Sequence, residues 1–192
     1  MSDDDPWIDQ TLRGQPEAFG HLALKYQDRL FQAVFHMVGH AEDARDLVQE
    51  SLVQAMLHLD SFERHCAFYT WLYRIAFNAA MSHRRRRRPT ASVEQASERA
   101  GVEPSDRGDG PLETLEREEQ CRQVQEAIAR LDADHRAVLV LREIDGRNYE
   151  SIAAILDIPL GTVRSRLHRA RLELRERLQA MLVGETQQSD GL

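Results

Sequence analysis

The sequence contains little of what secreted, disulfide-bonded or membrane-spanning proteins require. It has only two cysteines in 192 residues, Cys66 and Cys121, and their spacing matches neither a disulfide framework nor a zinc site. No apolar run approaches the ~20 residues of a membrane span. The acidic start, MSDDDPW, lacks the basic and apolar parts of a signal peptide. We therefore expect a soluble, cytoplasmic protein with no membrane insertion of its own.

Motifs of catalysis and cofactor binding are also missing. The sequence has no Gly-rich phosphate loop, no paired-cysteine metal site and no credible pair of nucleophile and base. Its histidines are scattered, so surface or core positions are the default interpretation for them. We predict that the protein is not an enzyme and needs no metal or other cofactor.

Lys25 is the only lysine. Arginine is concentrated in two clusters, at 84–88 and 164–177. The formal net charge is −7, but a local concentration of positive charge is enough for DNA binding. Arginine also binds phosphate and guanine through two parallel hydrogen bonds. Codon bias of the source genome would explain the preference for arginine equally well.

The stretch YESIAAILDIPLGTVRSRLHRAR, at 149–171, has the pattern of a helix-turn-helix. Asn148 can cap a first helix over 149–156, and Asp157-Ile158-Pro159 breaks the pattern. A second helix follows from Leu160, with one inward stripe of Val163, Leu167, Ala170 and Leu174. In such a motif the second helix enters the major groove. The competing interpretation is a basic surface helix of an ordinary bundle.

Helical periodicity continues through most of the chain, which predicts an all-α protein of two small domains. The first domain covers 6–88, with helices ending at Gly39 and running over 42–59 and 68–85. Residues 89–111 are polar, contain Pro and Gly, and read as a flexible linker. The second domain covers 112–183, with helices over 115–131 and 134–144 before the helix-turn-helix. Residues 184–192 are expected to form a disordered tail.

Two surfaces of the first domain are candidate binding sites. Glu42, Asp46 and Glu50 follow one another at i, i+4 and i+8, with Asp43 on the same side. Like charges at this spacing destabilise a helix, so the face suits either a basic partner or plain solvation. The segment 62–78 concentrates aromatic residues and leads into the arginines at 84–88. Core packing is the commoner role of such aromatics, although aromatics beside a basic groove also hold unstacked bases.

Together these motifs resemble the sigma factors of bacterial RNA polymerase, specifically the small extracytoplasmic-function group. DARDLVQESLVQA (43–55) is similar to the helix that binds core polymerase, and LDSFERHCAFYTWLYRIAFNAA (59–80) to the segment that recognises and melts the minus-ten element. The stretch 131–171 resembles the minus-thirty-five-binding domain. Order and spacing agree over nearly the whole chain, and the similarity is greatest to the sigma-E proteins of the envelope stress response.

The resemblance implies a promoter-directing transcription initiation factor and a role for each motif. Contact with the polymerase clamp coiled coil falls to Asp43, Asp46, Gln49 and Glu50. Contact with minus-ten DNA falls to Phe62, Arg64, Phe68, Trp71, Asn78, Arg84 and Arg85. Contact with minus-thirty-five DNA falls to Thr162, Arg164, Ser165, Arg166, His168 and Arg169. The implied partners are the clamp and flap of core RNA polymerase, promoter DNA and an anti-sigma factor.

The sequence departs from the family at two places. The base-capture loop reads ERHCAF, where many relatives carry a Gly-Asp-like loop, and His168 stands where some relatives have an aromatic residue. The base sequences that the protein prefers in the minus-ten and minus-thirty-five elements are therefore open. The alternative function is that of a conventional helix-turn-helix regulator, which would bind a palindrome without core polymerase.

Overall fold

The computed structural model describes residues 2–87 and 111–189, with side chains over 2–86 and 119–181. These residues form helices and turns, with no strand among them, as the all-α prediction requires. The predicted linker at 89–111 lies outside the described residues except for Pro111, which is the first residue of a helix. Arg88 of the arginine run also lies outside them.

The N-terminal domain consists of four α-helices. They are α1 (Asp5–Leu12), α2 (Glu17–Val38), α3 (Ala41–Leu57) and α4 (Phe68–Arg87), with a 3₁₀ turn at Leu59–Ser61 before α4. Gly39 ends α2 with φ of 85°, in the left-handed region that glycine enters without steric cost. The helices pack their apolar faces around Leu22, Leu30 and Leu72, all fully buried.

The C-terminal domain contains α5 (Pro111–Ala129), α6 (Ala133–Leu139), α7 (Tyr149–Leu156) and α8 (Leu160–Ser189). The segment predicted as one helix over 134–144 has two parts, because α6 continues as a π-helical turn at Val140–Ile144. There the amide of Asp145 bonds the carbonyl of Val140, five residues back. The core of this domain contains Val138, Ile152 and Leu167.

One charged side chain lies inside the fold, at the junction of three elements. Arg136 of α6 is 2% exposed. Its guanidinium donates to the carbonyls of Met37 at 2.8 Å and Leu131 at 3.3 Å, and to the carbonyl of Ala129. Met37 and Ala129 stand in the last turns of α2 and α5. Because a helix C-terminus carries partial negative charge, one arginine stabilises two helix ends together.

The expected disordered tail at 184–192 needs correction over most of its length. Helix α8 continues past Val183 to Ser189, and only 190–192 lie outside the described residues. The physical reason lies in the composition, because Glu185, Gln187 and Gln188 are good helix formers and extend a helix that has already formed. Gly184 is the weakest helix former in this stretch, and no proline follows it.

Candidate functional site

Helices α7 and α8 form the predicted helix-turn-helix, and local interactions fix its geometry. The Asn148 side-chain oxygen accepts the amide of Ser151 at 2.8 Å, which caps α7. Asp157 ends α7 with φ of 53°, and the carbonyl of Pro159 accepts the amides of Thr162 and Val163 at 2.9 and 3.1 Å. The caps and the turn therefore lie where the sequence predicts them.

Helix α8 has a buried packing face and an exposed polar face on opposite sides. Val163, Leu167 and Ala170 are at most 1% exposed and hold the helix on the core of the domain. The opposite face carries four of the predicted minus-thirty-five residues, and all four are exposed: Arg164, Ser165, His168 and Arg169. We call these four the α8 outer face. A helix that presents polar side chains in this way can insert into the major groove.

The other two predicted minus-thirty-five residues have different surroundings. Arg166 pairs with Asp134 of α6 at 2.6 Å, so its guanidinium already has an anionic partner within the protein. Thr162 is half-buried in the first turn of α8, where its carbonyl accepts the hydroxyl of Ser165 at 3.1 Å. These contacts orient the start of α8, whereas the four residues of the α8 outer face remain exposed.

Helix α4 brings three predicted minus-ten residues to one surface. Trp71, Asn78 and Arg85 follow one another at intervals of seven residues, which places them on one side of a helix. Asn78 and Arg85 are exposed and Trp71 is half-buried. We call these three residues the α4 outer face. Arg84 is half-buried and lies a little over a quarter-turn from this surface.

The two phenylalanines predicted to contact minus-ten DNA are buried in the core of the N-terminal domain. Phe62 is 8% exposed and Phe68 is 2% exposed. Their ring centroids lie 5.7 Å apart, and both rings pack on Trp71 at 5.3 and 5.8 Å. Burial of such a ring stabilises the fold by about 1.5–3 kcal/mol, which contact with water would forfeit. Both rings thus lie in the core of the free protein at the two ends of the loop 62–68, and their contact with minus-ten DNA stays a prediction.

Arg64, at the tip of that loop, is held by the first helix. Its guanidinium pairs with Asp9 and lies 3.9 Å from the carboxylate of Asp5. The hydrogen bond with Asp9 raises the pKa of Arg64 above its usual value. The backbone of Arg64 has φ of 59°, an uncommon conformation for a side chain of this size. Nothing in the neighbouring sequence indicates this contact, because α1 lies more than fifty residues earlier.

The predicted polymerase-binding residues form a stripe along α3. Asp46, Gln49 and Glu50 are exposed, whereas Asp43 is half-buried with its carboxylate 3.8 Å from His83 of α4. The same spacing continues to two residues that the sequence analysis passed over. Val53 and Leu57 are 50% and 66% exposed and extend the acidic stripe with an apolar end. Val53 follows Glu50 by three residues, and Leu57 follows Val53 by four. This helical spacing could have placed both residues on the stripe from the sequence alone.

The structure also brings the two domains into contact, with α7 packed against α4. Tyr69 and Arg74 of α4 reach the C-terminal domain: the Tyr69 hydroxyl bonds that of Ser151 at 3.1 Å, and Arg74 donates to the carbonyl of Ala154 at 2.6 Å. The carboxylate of Asp145 is 2% exposed and accepts a hydrogen bond from Arg29 Nε of α2 at 2.8 Å. Sequence reasoning missed this interface, since nothing local marks its residues.

The pKa values of several side chains in this interface are shifted from their usual values by burial, by hydrogen bonds and by the buried carboxylate of Asp145. Burial raises the pKa of Tyr73 above its usual value, and the charge of Asp145 adds to that effect. Burial opposes the charge of Arg147, but its hydrogen bond to Asp145 outweighs this and raises its pKa. For Tyr69, burial acts to raise the pKa, and hydrogen bonds led by that with Ser151 lower it overall.

Metal-binding clusters and membrane-spanning helices are absent from the part of the chain that the structure describes. No group of three or more His, Cys, Asp or Glu residues there could hold a metal ion. None of the helices there is both long and apolar enough to cross a membrane. Cys66 and Cys121 are both free thiols.

Comparison with known proteins identifies the two halves of the chain with two parts of one family. Residues 22–90 match the profile of sigma-70 region 2, and residues 121–174 match that of sigma-70 region 4. The RNA polymerase sigma-H factor of Pseudomonas aeruginosa is 38% identical over 93% of this chain and 95% of its own. The ECF RNA polymerase sigma-E factor of Escherichia coli strain K12 is 39% identical over 91% of this chain and 94% of its own.

Two solved structures have similar folds. CnrH, in complex with the cytosolic domain of CnrY, gives a TM-score of 0.70 at 28% identity, covering 93% of this chain and 99% of CnrH. The sigma factor RpoE of Bartonella quintana, in complex with the anti-sigma factor NepR, gives a TM-score of 0.65 at 28% identity. In that case 84% of this chain and 96% of the other are covered.

Proposed function

Because this chain belongs to the sigma-70 family of RNA polymerase sigma factors, and to its extracytoplasmic-function group, we propose a division of its promoter-directing function between the two domains. Domain 6–88 binds core polymerase and opens the minus-ten element, and domain 112–183 docks on the minus-thirty-five element. The protein acts in the cytoplasm and has no enzymatic activity of its own. The exposed outer faces of α8 and α4, on separate domains, are the observation that carries this proposal.

Core polymerase binds along the stripe on α3. Asp43, Asp46, Gln49 and Glu50 meet the basic clamp coiled coil, while the C-terminal domain meets the flap. The exposed end of the stripe at Val53 and Leu57 supports a partner that is both basic and apolar, since interfaces combine a buried apolar centre with charged rims. Glu50→Arg is expected to weaken core binding at least tenfold. Asp28→Arg, an exposed carboxylate on α2, is the matched control and is expected to bind core normally.

Minus-ten DNA is contacted by the α4 outer face. The Asn78 amide can donate to and accept from a base edge, and Arg85 can neutralise a phosphate. Trp71 offers a ring for stacking, which contributes ~1–3 kcal/mol per base. Phe62 and Phe68 act by fixing the loop between them, and Arg84 completes the basic end of the helix. Asn78→Ala is expected to abolish open-complex formation and leave core binding intact.

Minus-thirty-five DNA is read by the α8 outer face. Arg164 and Arg169 are exposed and form no ion pair with any residue that the structure describes. Either can make a bidentate base contact that gives about 1–3 kcal/mol of discrimination. Thr162 and Arg166 hold the helix start and lie near phosphates. Arg169→Ala is expected to lower transcription from a two-element promoter tenfold or more.

An anti-sigma factor is a further proposed partner. CnrH and the Bartonella quintana RpoE were each solved with another protein, CnrY and the anti-sigma factor NepR respectively. We place the corresponding partner of this chain over the acidic stripe of α3 or the arginine-bearing helix α4, the two surfaces whose occlusion would stop initiation.

Run-off transcription with purified core polymerase on a genomic promoter library tests the proposed function. Core-dependent transcripts that share a two-element promoter are expected. Core-independent binding to a palindrome, with no transcripts, would instead favour a conventional regulator, which the sigma-70 matches disfavour. Glu50→Arg and Asn78→Ala, run beside Asp28→Arg, separate loss of core binding from loss of melting.

A further inference from the structure

Helix α1 (Asp5–Leu12) precedes residues 22–90, the part of the N-terminal domain that matches sigma-70 region 2. It is nevertheless packed into that domain. Ile8 of α1 is 1% exposed, and the helix contacts both α2 and the 3₁₀ turn at Leu59–Ser61. A helix held against that turn is well placed to act on the loop at 62–68, which follows the turn directly.

A polar cluster fixes α1 on α2. The carboxylate of Asp4, just before α1, accepts Lys25 Nζ at 2.6 Å and the Tyr26 hydroxyl at 2.7 Å. Asp4 is 3% exposed, and hydrogen bonds to a buried charge are the strong class. Trp7 of α1 adds a ring stacked on that of His21 of α2, with the centroids 5.3 Å apart. These contacts give α1 one defined position beside the loop.

From that position α1 holds the tip of the loop at 62–68. The Arg64 guanidinium pairs with Asp9, and its Nη1 lies 3.9 Å from the carboxylate of Asp5. Asp5 and Asp9 are four residues apart, so both face the same side of α1. Two carboxylates of the first helix thus meet one guanidinium at the tip of a loop much further along the chain.

The backbone at the tip depends on such support. Arg64 has φ of 59°, in the left-handed region that is costly for a residue with a side chain and persists where its surroundings impose it. Among the described residues, a backbone hydrogen bond from the Phe62 amide to the Leu59 carbonyl, at 3.1 Å, holds the start of the loop. At its end the Ala67 carbonyl accepts the amide of Thr70 at 2.9 Å. Between these points the loop is tied to α1 by the Arg64 side chain.

The residues on either side of Arg64 are open to solvent. The side chains of Glu63 and His65 are 75% and 84% exposed, against 40% for Arg64. His65 Nε2 lies 3.1 Å from the Glu63 carboxylate. The loop therefore places one cationic side chain against α1 and offers its two polar neighbours to a partner. A guanidinium that already faces two carboxylates is also less strongly attracted to a DNA phosphate.

We propose that Asp9, supported by Asp5, is a positioning residue for minus-ten recognition: through Arg64, α1 fixes the conformation of the loop that receives the base. This inference rests on the proposed function, since it takes the loop as part of the minus-ten surface. Exposed ion pairs contribute little to overall stability, so the pair governs the conformation of the loop and not the folding of the domain. Without the pair, the fixed conformation is about three- to tenfold less populated. Discrimination among bases falls with it, because only that conformation fits the correct base.

The first test is limited trypsin digestion of the free full-length chain, because trypsin cuts after Arg64 only when the tip leaves α1. Asp9→Ala is expected to raise the initial rate of this cut, followed by mass spectrometry, about three- to tenfold. Asp9→Glu retains the charge and is expected to stay nearer the wild type. Asp3→Ala removes an exposed carboxylate just before α1 and is the control, with an unchanged rate. An equal rate in Asp9→Ala and the wild type would show that α1 does not hold the loop.

The second test is run-off transcription by the holoenzyme on promoters that carry each base in turn at each minus-ten position. Asp9→Ala is expected to lower the ratio of transcript yields between the preferred base and the next about three- to tenfold at the captured position. Core binding and the minus-thirty-five preference are expected to stay unchanged. Asp9→Arg together with Arg64→Asp restores the pair in reverse. This double variant is expected to recover discrimination, which a merely structural role of either residue would not produce.

The two tests separate the role of α1 from the proposed function of the whole chain. Unchanged discrimination in Asp9→Ala, despite faster cleavage after Arg64, would overturn the role in minus-ten recognition. Equal loss at every promoter, together with lost core binding, would reduce α1 to a structural helix. A wild-type chain that gives no core-dependent transcripts would refute the proposed function instead, and trypsin digestion would still decide whether α1 holds the loop.

Discussion

Replacement of Arg136 by methionine tests whether one buried arginine joins three parts of the fold. Methionine has a similar length and fills the space, but it cannot donate hydrogen bonds. The carbonyls of Met37, Ala129 and Leu131 would lose a charged donor in a region where Arg136 is 2% exposed. The effect is expected on stability and not on the exposed outer faces of α4 and α8.

The magnitude follows from opposing effects. Each hydrogen bond from a charged group contributes about 1.5–3 kcal/mol, and desolvation of the guanidinium offsets part of that total. Each buried carbonyl left without a donor costs about 1–3 kcal/mol, or about 3–9 kcal/mol for the three carbonyls together. Since methionine restores some packing, we expect a loss near the lower end, about 3 kcal/mol. For a chain of this size that lowers Tm by about 6–12 °C.

Urea denaturation followed by circular dichroism measures this loss directly. Arg130→Ala is the matched control, because Arg130 lies at the end of α5 close in sequence but is exposed. The control is expected to stay within about 0.5 kcal/mol of the wild type. A loss below about 1 kcal/mol for Arg136→Met would refute the reasoning, since the three carbonyls would then be equally well satisfied without the arginine.

Three further outcomes are expected. Asn148→Ala removes the cap of α7 and is expected to cost about 1 kcal/mol, whereas Asn148→Asp retains an acceptor and stability; equal losses in thermal unfolding would contradict the capping role. Burial lowers the pKa of His36, which bonds Gln125, so the unfolded chain binds a proton more readily and stability declines as pH falls below the unfolded value of about 6.5. His36→Gln is expected to reduce this decline between pH 7.5 and 5.5, and an unchanged slope would count against it. Gly39→Ala is expected to cost about 1 kcal/mol because of the positive φ, whereas Gly20→Ala within α2 is neutral or stabilising.

Features determined by neighbouring residues could be predicted closely from the sequence. The cap at Asn148, the turn before Leu160 and the inward stripe of α8 all depend on residues within a few positions of each other. The bounds of α7 and the burial of Val163 and Leu167 agree with those predictions. The acidic stripe of α3 followed from spacing alone, although its apolar end was passed over.

Features determined by distant residues could not be predicted. The pairing of Arg64 with Asp9 joins residues 55 apart, and that of Arg29 with Asp145 joins residues 116 apart. No periodicity encodes such pairs, because they depend on how the helices pack. The same limit applies to Phe62 and Phe68, whose burial depends on rings contributed by α2 and α4. The sequence showed an aromatic segment, and packing decided which rings remain accessible.

The two-sided construction of α8 has a consequence for how such proteins diverge. Its packing residues and its outer residues do not overlap, so Ser165, His168 or Arg169 can change without disturbing Val163 or Leu167. Exposed substitutions of this kind usually alter stability by less than about 0.5 kcal/mol. On the proposed reading of minus-thirty-five DNA by this face, a duplicated gene could acquire a new promoter preference in a few steps, each leaving a folded and polymerase-competent protein. Several such factors could then share one polymerase in one cell and still direct separate sets of genes.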